Sequence, residues 1–343
     1  MKGWRIPSFG IDNLEQFEKP QPSAGPGQVV IKVHAVSLNY RDLMMVKGLY
    51  NPKMALPRIP CSDGAGEIVE VGQGVTELQP GDGVAAIFMQ NWLDGPPSFV
   101  KYRGALGGDV DGMLAEYVVL HASGVVKFPA HLSYEEAATL PCAAVTAWNA
   151  VVTPGTVKPG DTVVIQGTGG VSIFALQFAK MLGGRVLGTS SSDEKLVHAK
   201  TLGMDAGLNY KSEPDWADWV LENSKGRDDA HGEGADLIVE VGGAGTFTQS
   251  LKAVRVGGMI AQIGVLTQSQ EPLQIPLILR KQVRVQGIYV GSRAHFESMN
   301  RAISLNCLKP VIDSEFGFSD AKAAFQKMEN ASHFGKIVIK TAA

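Results

Sequence analysis

Cysteine is scarce in this 343-residue chain: Cys61, Cys142 and Cys307 are the only three, widely spaced and without a C-x-x-C pair. That excludes a disulfide framework and suits a reducing cytoplasm. Long apolar runs are missing too. One long uncharged stretch, Thr162 to Ala179, is broken by Gly167, Gly169 and Gly170, so a strand, a turn and a helix explain it better than a membrane span. The opening segment MKGWRIPSFGIDNLEQFEK carries charges throughout and has no apolar core of a secretory signal. Nor is there an excess of one charge. Thirty-one Lys and Arg stand against 34 Asp and Glu, a formal charge of -3. This argues against a nucleic-acid or anionic-lipid surface and leaves a small molecule as the expected partner. The seven histidines form no H-x-x-x-H pair. With 45% hydrophobic and 19% charged residues, wholesale disorder is excluded.

Glycine is abundant, at 40 residues or about 12% against a usual value of about 7%. The length predicts about two domains. From Gln28 the segments QVVIKVHAV, GEIVEVG, PGDGVAAI and LAEYVVL read as short strands punctuated by Gly and Pro, an irregular β domain to about Lys127. At Ser133 the pattern changes. SYEEAATLPCAAVTAWNAV opens with a capping box, Ser133 and Glu136, and continues as a helix. DTVVIQG, RVLGTS, DLIVEVG and GGMIAQIG then alternate as strands with the helices VSIFALQFAKML, SDEKLVHAKTLG and TFTQSLKAV, which implies a parallel sheet covered on both faces. VRVQGIYV reads as a further strand, SDAKAAFQKM as a helix and GKIVIK as the last strand.

The turn from Gly167 through Thr168, Gly169 and Gly170 to Val171 lies where a strand ends and a helix begins, the context in which glycines let backbone N–H groups approach a pyrophosphate. Ser172 stands where the third glycine of G-x-G-x-x-G would be, which compromises close helix packing slightly. The second strand ends in Thr189, Ser190, Ser191 and Ser192, followed by Lys195, with no acid at its tip. Hydroxyls and a cation suit a ribose 2′-phosphate, which a carboxylate would repel. Lys195 also reads as an ordinary solvated helix residue.

The strings NYRDLMMVKGLY, IPCSDGAGEIVEVGQGVTELQPGDGV, DTVVIQGTGGVS and VEVGGAGTF with VRVGGMIAQIG, in this order, resemble the medium-chain dehydrogenase/reductase superfamily along the whole chain, in its zinc-independent quinone oxidoreductase and enoyl reductase branch. The resemblance implies an α/β protein with a GroES-like β-barrel catalytic domain at 1–143 and 287–343, and a doubly wound Rossmann cofactor domain at 144–286. Asn39 stands where zinc-dependent members carry a cysteine ligand, and Ser62 and Asp63 replace a His-Glu pair; only Cys142 matches a ligand position, so no catalytic zinc is expected. Cys142 then reads as a small buried apolar residue. The resemblance places Asn39, Tyr40 and Tyr50 around the nicotinamide and substrate. Asp42 belongs to the same N-Y-R-D string, or it caps the helix or pairs with Arg41. Thr146, Gly264 and Val265 are placed beside the nicotinamide, Tyr210 near the 2′-phosphate, Lys336 near the cofactor phosphates, and Gly291 and Ser292 among the cofactor contacts.

The function expected is NADPH-dependent hydride transfer to a quinone, enone or alkenal, because hydrogen-bond donors polarise a carbonyl less than a metal does and suit an acceptor that delocalises its charge. Alternatives are an alcohol dehydrogenase of the same superfamily and a non-catalytic, crystallin-like cofactor- or RNA-binding protein. A homodimer or dimer-based oligomer is expected, paired through the edge of the Rossmann sheet.

Overall fold

The computed structural model describes residues 1–225, 232–270 and 272–341. These fall into two compact units, Met1–Val145 with Gly291 onward, and Thr146–Val290.

The first unit holds strands β1 (Lys2–Arg5), β2 (Glu15–Glu18), β3 (Gln28–Leu38), β4 (Asp63–Val71), β5 (Gly83–Ala86), β6 (Tyr117–His121) and β7 (Val125–Lys127). The chain leaves it for the second unit, with β8 (Thr162–Gln166), β9 (Arg185–Ser190), β10 (Ala206–Asn209), β11 (Ala235–Glu240), β12 (Val254–Gln262) and β13 (Arg284–Gly287), and returns for β14 (Ile312–Gly317) and β15 (Lys336–Lys340).

In the first unit β1 and β2 form a hairpin, and the main sheet runs β14-β15-β3-β4-β5-β7 with β6 also on β3. Among the described residues of this sheet only β14 and β15 pair in parallel. The alternation of QVVIKVHAV buries Ile31, Val33 and Val36 against Phe325 of the helix Ala321–Glu329 and against Met113. Register then brings three strand ends together, because Ser37 lies opposite Asp63 and Leu38 opposite Ile337.

The second unit has a parallel sheet in the order β10-β9-β8-β11-β12-β13. Renumbered within the unit this is 3-2-1-4-5-6, the doubly wound dinucleotide-binding order. Its apolar strands need cover on both faces, and Leu187, Ile238 and Ile260 pack with Trp216 and Leu251 on one of them. At the far edge all four residues of β13 are exposed.

Several elements depart from the sequence reading. The run after Ser133 is three pieces, helix Tyr134–Ala138, a π-turn Leu140–Ala144 and helix Val145–Val152, because Pro141 has no N–H to continue the first helix. The Ser133 and Glu136 capping box is formed. VRVQGIYV pairs only over β13, since Val290 turns to a left-handed φ of 56° and its carbonyl accepts from Asn149 Nδ2 at 2.7 Å. Strand β10 and the helices Trp216–Asn223, Ile275–Lys281 and Arg293–Asn306 were not anticipated. Among the described residues no helix is long and apolar enough to cross a membrane.

Candidate active site

In the second unit the end of β8 passes into Gly167–Gly169 and then the helix Gly170–Met181. Gly167 has φ of 66°, and a Cβ built on either Gly167 or Gly169 would meet no atom within 4 Å. The glycines therefore front open space at a helix N-terminus, a cradle that side chains would fill, and this fits the pyrophosphate of a dinucleotide. Ser172 does not loosen the helix, since its buried hydroxyl donates to Gln166 O at 2.7 Å and ties the first turn to the strand end.

The neighbouring strand ends collect the other cofactor candidates. Tyr210 N donates to Ser190 O at 3.0 Å, so Tyr210, Ser190 and Ser191 lie together at the ends of β9 and β10. Ser190 itself is buried, its Oγ accepting from Ser192 N. Ser192 caps the helix Asp193–Thr201 that carries Lys195, and Asp193, in that helix's first turn, accepts from Asn209 Nδ2 at 3.0 Å.

Across the sheet, Glu240 was not singled out from the sequence, yet it organises this end of the unit. Its buried carboxylate accepts from Gln166 Nε2, the N–H groups of Gly242 and Gly243, Thr246 Oγ1 and Ser250 Oγ. An acid closing the apolar run of Leu237, Ile238 and Val239, shortly before two glycines, was the available signal: a buried charge needs donors, and the Gly-Gly turn supplies them. The same turn abuts Gly264, where a Cβ would lie 1.9 Å from Val241 O, while Val265 beside it is exposed. Thr146 is buried in this unit.

The first unit contains a buried polar cluster built on the three strand ends. Lys336, only 3% exposed, donates from Nζ to Leu38 O at 2.7 Å and to Asn39 Oδ1 at 2.5 Å. Asn39 Nδ2 then faces Ser62 Oγ at 3.4 Å, and Ser62 Oγ donates to Asp63 Oδ1 at 2.7 Å. Asp63 Oδ2 accepts from Cys142 N at 2.9 Å. Asp42 is equally buried and is held by backbone, accepting from Asn39 N at 2.9 Å and Ser62 N at 3.2 Å, with Arg41 Nη1 3.5 Å away. Tyr40 and Tyr50 are 44% and 45% exposed, and the Arg41 guanidinium sits 5.8 Å from the Tyr50 ring. Asn39, Asp42 and Lys336 are thus brought into one network, with Tyr40 next to it in the chain.

Gly291 and Ser292 lie where the chain re-enters this unit. A Cβ at Gly291 would come within 2.8 Å of Val145, and Ser292 caps the helix Arg293–Asn306 by accepting from His295 N. Cys142, expected to be buried, is half-buried.

Burial raises both carboxyls of the cluster. Asp63 is lifted to about 6, chiefly by desolvation, with the Lys336 charge opposing and Asp42 adding to the rise. Desolvation also raises Asp42, opposed first by Arg41. It pushes the Cys61 and Cys142 thiols up as well.

Comparison with known proteins decides the family. Residues 25–130 match the alcohol dehydrogenase GroES-like domain and residues 170–305 the zinc-binding dehydrogenase domain. The chain is 44% identical over 339 residues to a zinc-type alcohol dehydrogenase-like protein of Schizosaccharomyces pombe, covering 96% of each. It belongs to the medium-chain dehydrogenase/reductase superfamily. It is also 28% identical to an acryloyl-coenzyme A reductase of Metallosphaera sedula, covering 96% of each. A crystal structure of an NAD-dependent alcohol dehydrogenase superposes with a TM-score of 0.89 at 32% identity, covering all of both chains.

The chain is accordingly an oxidoreductase with a fold that binds a nicotinamide cofactor. The family name also implies zinc, and the donor set in this member of the superfamily does not suit that ion. Among the described residues no three His, Cys, Asp or Glu side chains are grouped to hold a metal. Asn39 Oδ1 already accepts from an ammonium, and both Asp63 oxygens are engaged by Ser62 and Cys142.

The raised Asp63 gives a pH signature. Its protonated form is favoured by folding, so its contribution to stability is complete below about pH 4 and is lost as pH rises through about 6. In Asp63→Asn, which keeps an acceptor for Cys142 N and a group for Ser62 Oγ, that loss disappears. The melting temperature of the wild type relative to the variant should therefore fall between about pH 4 and about pH 7. A difference that stays constant or rises over this interval would contradict the assignment.

Proposed function

We propose that this chain is an NADPH-dependent reductase that transfers hydride to a conjugated carbonyl, with hydrogen-bond donors doing what zinc does elsewhere in the superfamily. The observation that carries the reading is the Lys336–Asn39 contact. A buried ammonium on Asn39 Oδ1 withdraws electron density through the amide and makes Nδ2 a stronger donor, while Nδ2 has only a 3.4 Å contact to Ser62. Asn39 Nδ2, with the hydroxyls of Tyr40 and Tyr50, then receives charge developing on the acceptor oxygen. A nicotinamide cofactor supplies the hydride when bound. Quinones, enones and acyl thioesters with an α,β double bond spread the resulting charge, so moderate donors suffice. The acryloyl-coenzyme A reductase relative is named for such an acceptor.

Oxidation of a simple alcohol is the second reading, favoured by the alcohol dehydrogenase relatives. One experiment separates them: turnover of quinone, enone and thioester with NADPH, and of alcohols with the oxidised cofactors, before and after chelation. Chelator-resistant reduction of a conjugated acceptor is expected; chelator-sensitive alcohol oxidation alone would overturn the proposal. In Asn39→Ala and Tyr50→Phe, kcat should fall by on the order of a hundredfold for Asn39 and less for Tyr50, with little change in cofactor Kd. Unchanged kcat in both would remove them from the chemistry.

For the cofactor, Gly167, Thr168, Gly169, Gly170 and Val171 would hold the pyrophosphate, and Ser191, Lys195 and Tyr210 the 2′-phosphate, with Ser190 fixing the strand end. Thr146, Gly264 and Val265 would serve the nicotinamide end, and Gly291 and Ser292 remain candidates as a chain re-entry loop. Lys336, bonded to Asn39, acts in this reading on the substrate side. Lys195→Glu should weaken NADPH by about ten- to a hundredfold and NADH little, and Ser191→Asp should act in the same sense. Equal loss for both cofactors would show that these residues do not read the 2′-phosphate.

The exposed edge of β13, with Val285 at its centre, would be covered by a second copy of the chain, giving a homodimer or a dimer-based oligomer. Solution scattering at micromolar concentration should give at least twice the 36.5 kDa chain mass; a monomer would refute it.

A further inference from the structure

We infer that a cationic cleft beside the Asn39 cluster binds the phosphate-bearing tail of an acceptor, so that the enzyme's substrates are phosphate-carrying conjugated thioesters or ketones. The cleft has a volume of about 400 Å³, and its lining includes Asn51, Lys53, Arg58, Arg103, Gly108 and Asp109. Three cations face one acid. That acid is committed elsewhere, since Asp109 Oδ2 accepts from Gly104 N at 3.0 Å and Ala105 N at 3.3 Å.

The cations themselves are poorly matched. Arg58 reaches Asp111 Oδ1 at 3.3 Å, while its buried Nε has no hydrogen-bond partner. Among the described residues the Lys53 ammonium and Arg103 guanidinium have none either. Asp111 on Arg58 and Asp109 together offset two of the three charges, so the cleft keeps a net positive charge and two cations without a carboxylate partner, which a phosphate or pyrophosphate would match.

The cleft adjoins the chemistry. A Cβ on Gly108 would lie 2.3 Å from Arg41 Nη2, and Arg41 in turn contacts Asp42 and the Tyr50 ring. Asn51 directly follows Tyr50 in the chain. An acceptor with its oxygen at Asn39 and Tyr50 therefore has a basic recess for its far end.

The test compares crotonyl-coenzyme A with the neutral S-crotonyl-N-acetylcysteamine, in the wild type and in Lys53→Ala/Arg103→Ala, two exposed positions whose loss leaves the core intact. The expected result is a KM for crotonyl-coenzyme A raised about tenfold in the variant and made less sensitive to salt, with kcat unchanged and the neutral thioester unaffected. Equal effects on both substrates, or none, would overturn the assignment. A conjugated keto acid bearing one carboxylate forms a third arm; an equal KM rise for it would replace phosphate by a simple carboxylate. This kinetic arm rests on the conjugated-acceptor reading, which fails separately if the wild type reduces none of the three. Titration of cofactor-saturated protein with inorganic pyrophosphate then decides the cleft alone. A binding component lost in the variant supports it, and absence of that component in the wild type overturns it.

Discussion

The buried ammonium of Lys336 is the interaction on which the first unit's polar cluster depends. Removing a charge from water is costly, and here the cost is offset by Leu38 O and Asn39 Oδ1 at short range and by the two buried carboxyls nearby. Each member needs the others. Asp42 holds the backbone of Asn39 and Ser62, Ser62 bridges Asn39 to Asp63, and Asp63 takes the N–H of Cys142. Losing the cation would leave two buried acids and an amide with no reason to keep its orientation.

The second unit solves a similar problem with a single anion. Glu240 gathers donors from its own turn, from β8 through Gln166, and from the following helix through Thr246 and Ser250. A fully satisfied buried carboxylate makes the Gly242–Gly243 turn rigid, which a flexible glycine pair would not be by itself. The glycines at Gly167 and Gly169 serve the opposite purpose, leaving space empty rather than filling it. One sheet end thus carries both a locked turn and an open cradle.

In the function proposed for it, the cluster would exchange the strong, non-directional polarisation of a divalent ion for directed hydrogen bonds. That exchange would narrow the acceptors to those whose own electrons delocalise the incoming charge. It would also free specificity to be set away from the reacting carbon, where binding energy from a substrate's remote part holds the reactive end in place.

Much of this was readable from the chain. Alternating apolar positions separated a β domain from a strand–helix alternation, because periods of 2 and 3.6 arise from backbone geometry alone. Gly167 and Gly169 were legible as a turn between a strand and a helix, and Asn39, Ser62 and Asp63 as the polar residues that the resemblance sets at ligand positions. Shorter elements such as β10, and the break at Pro141, were hidden where local preference is weak. What the sequence by itself determined was each local conformation and the chemical inventory. Only tertiary structure decided that Lys336, 297 residues from Asn39, would bond it, since β15 must first pair with β3 in the register that sets Ile337 against Leu38. A side chain's type is a property of its codon, but its partner is chosen by strand pairing across the whole chain, and no local pattern carries that information.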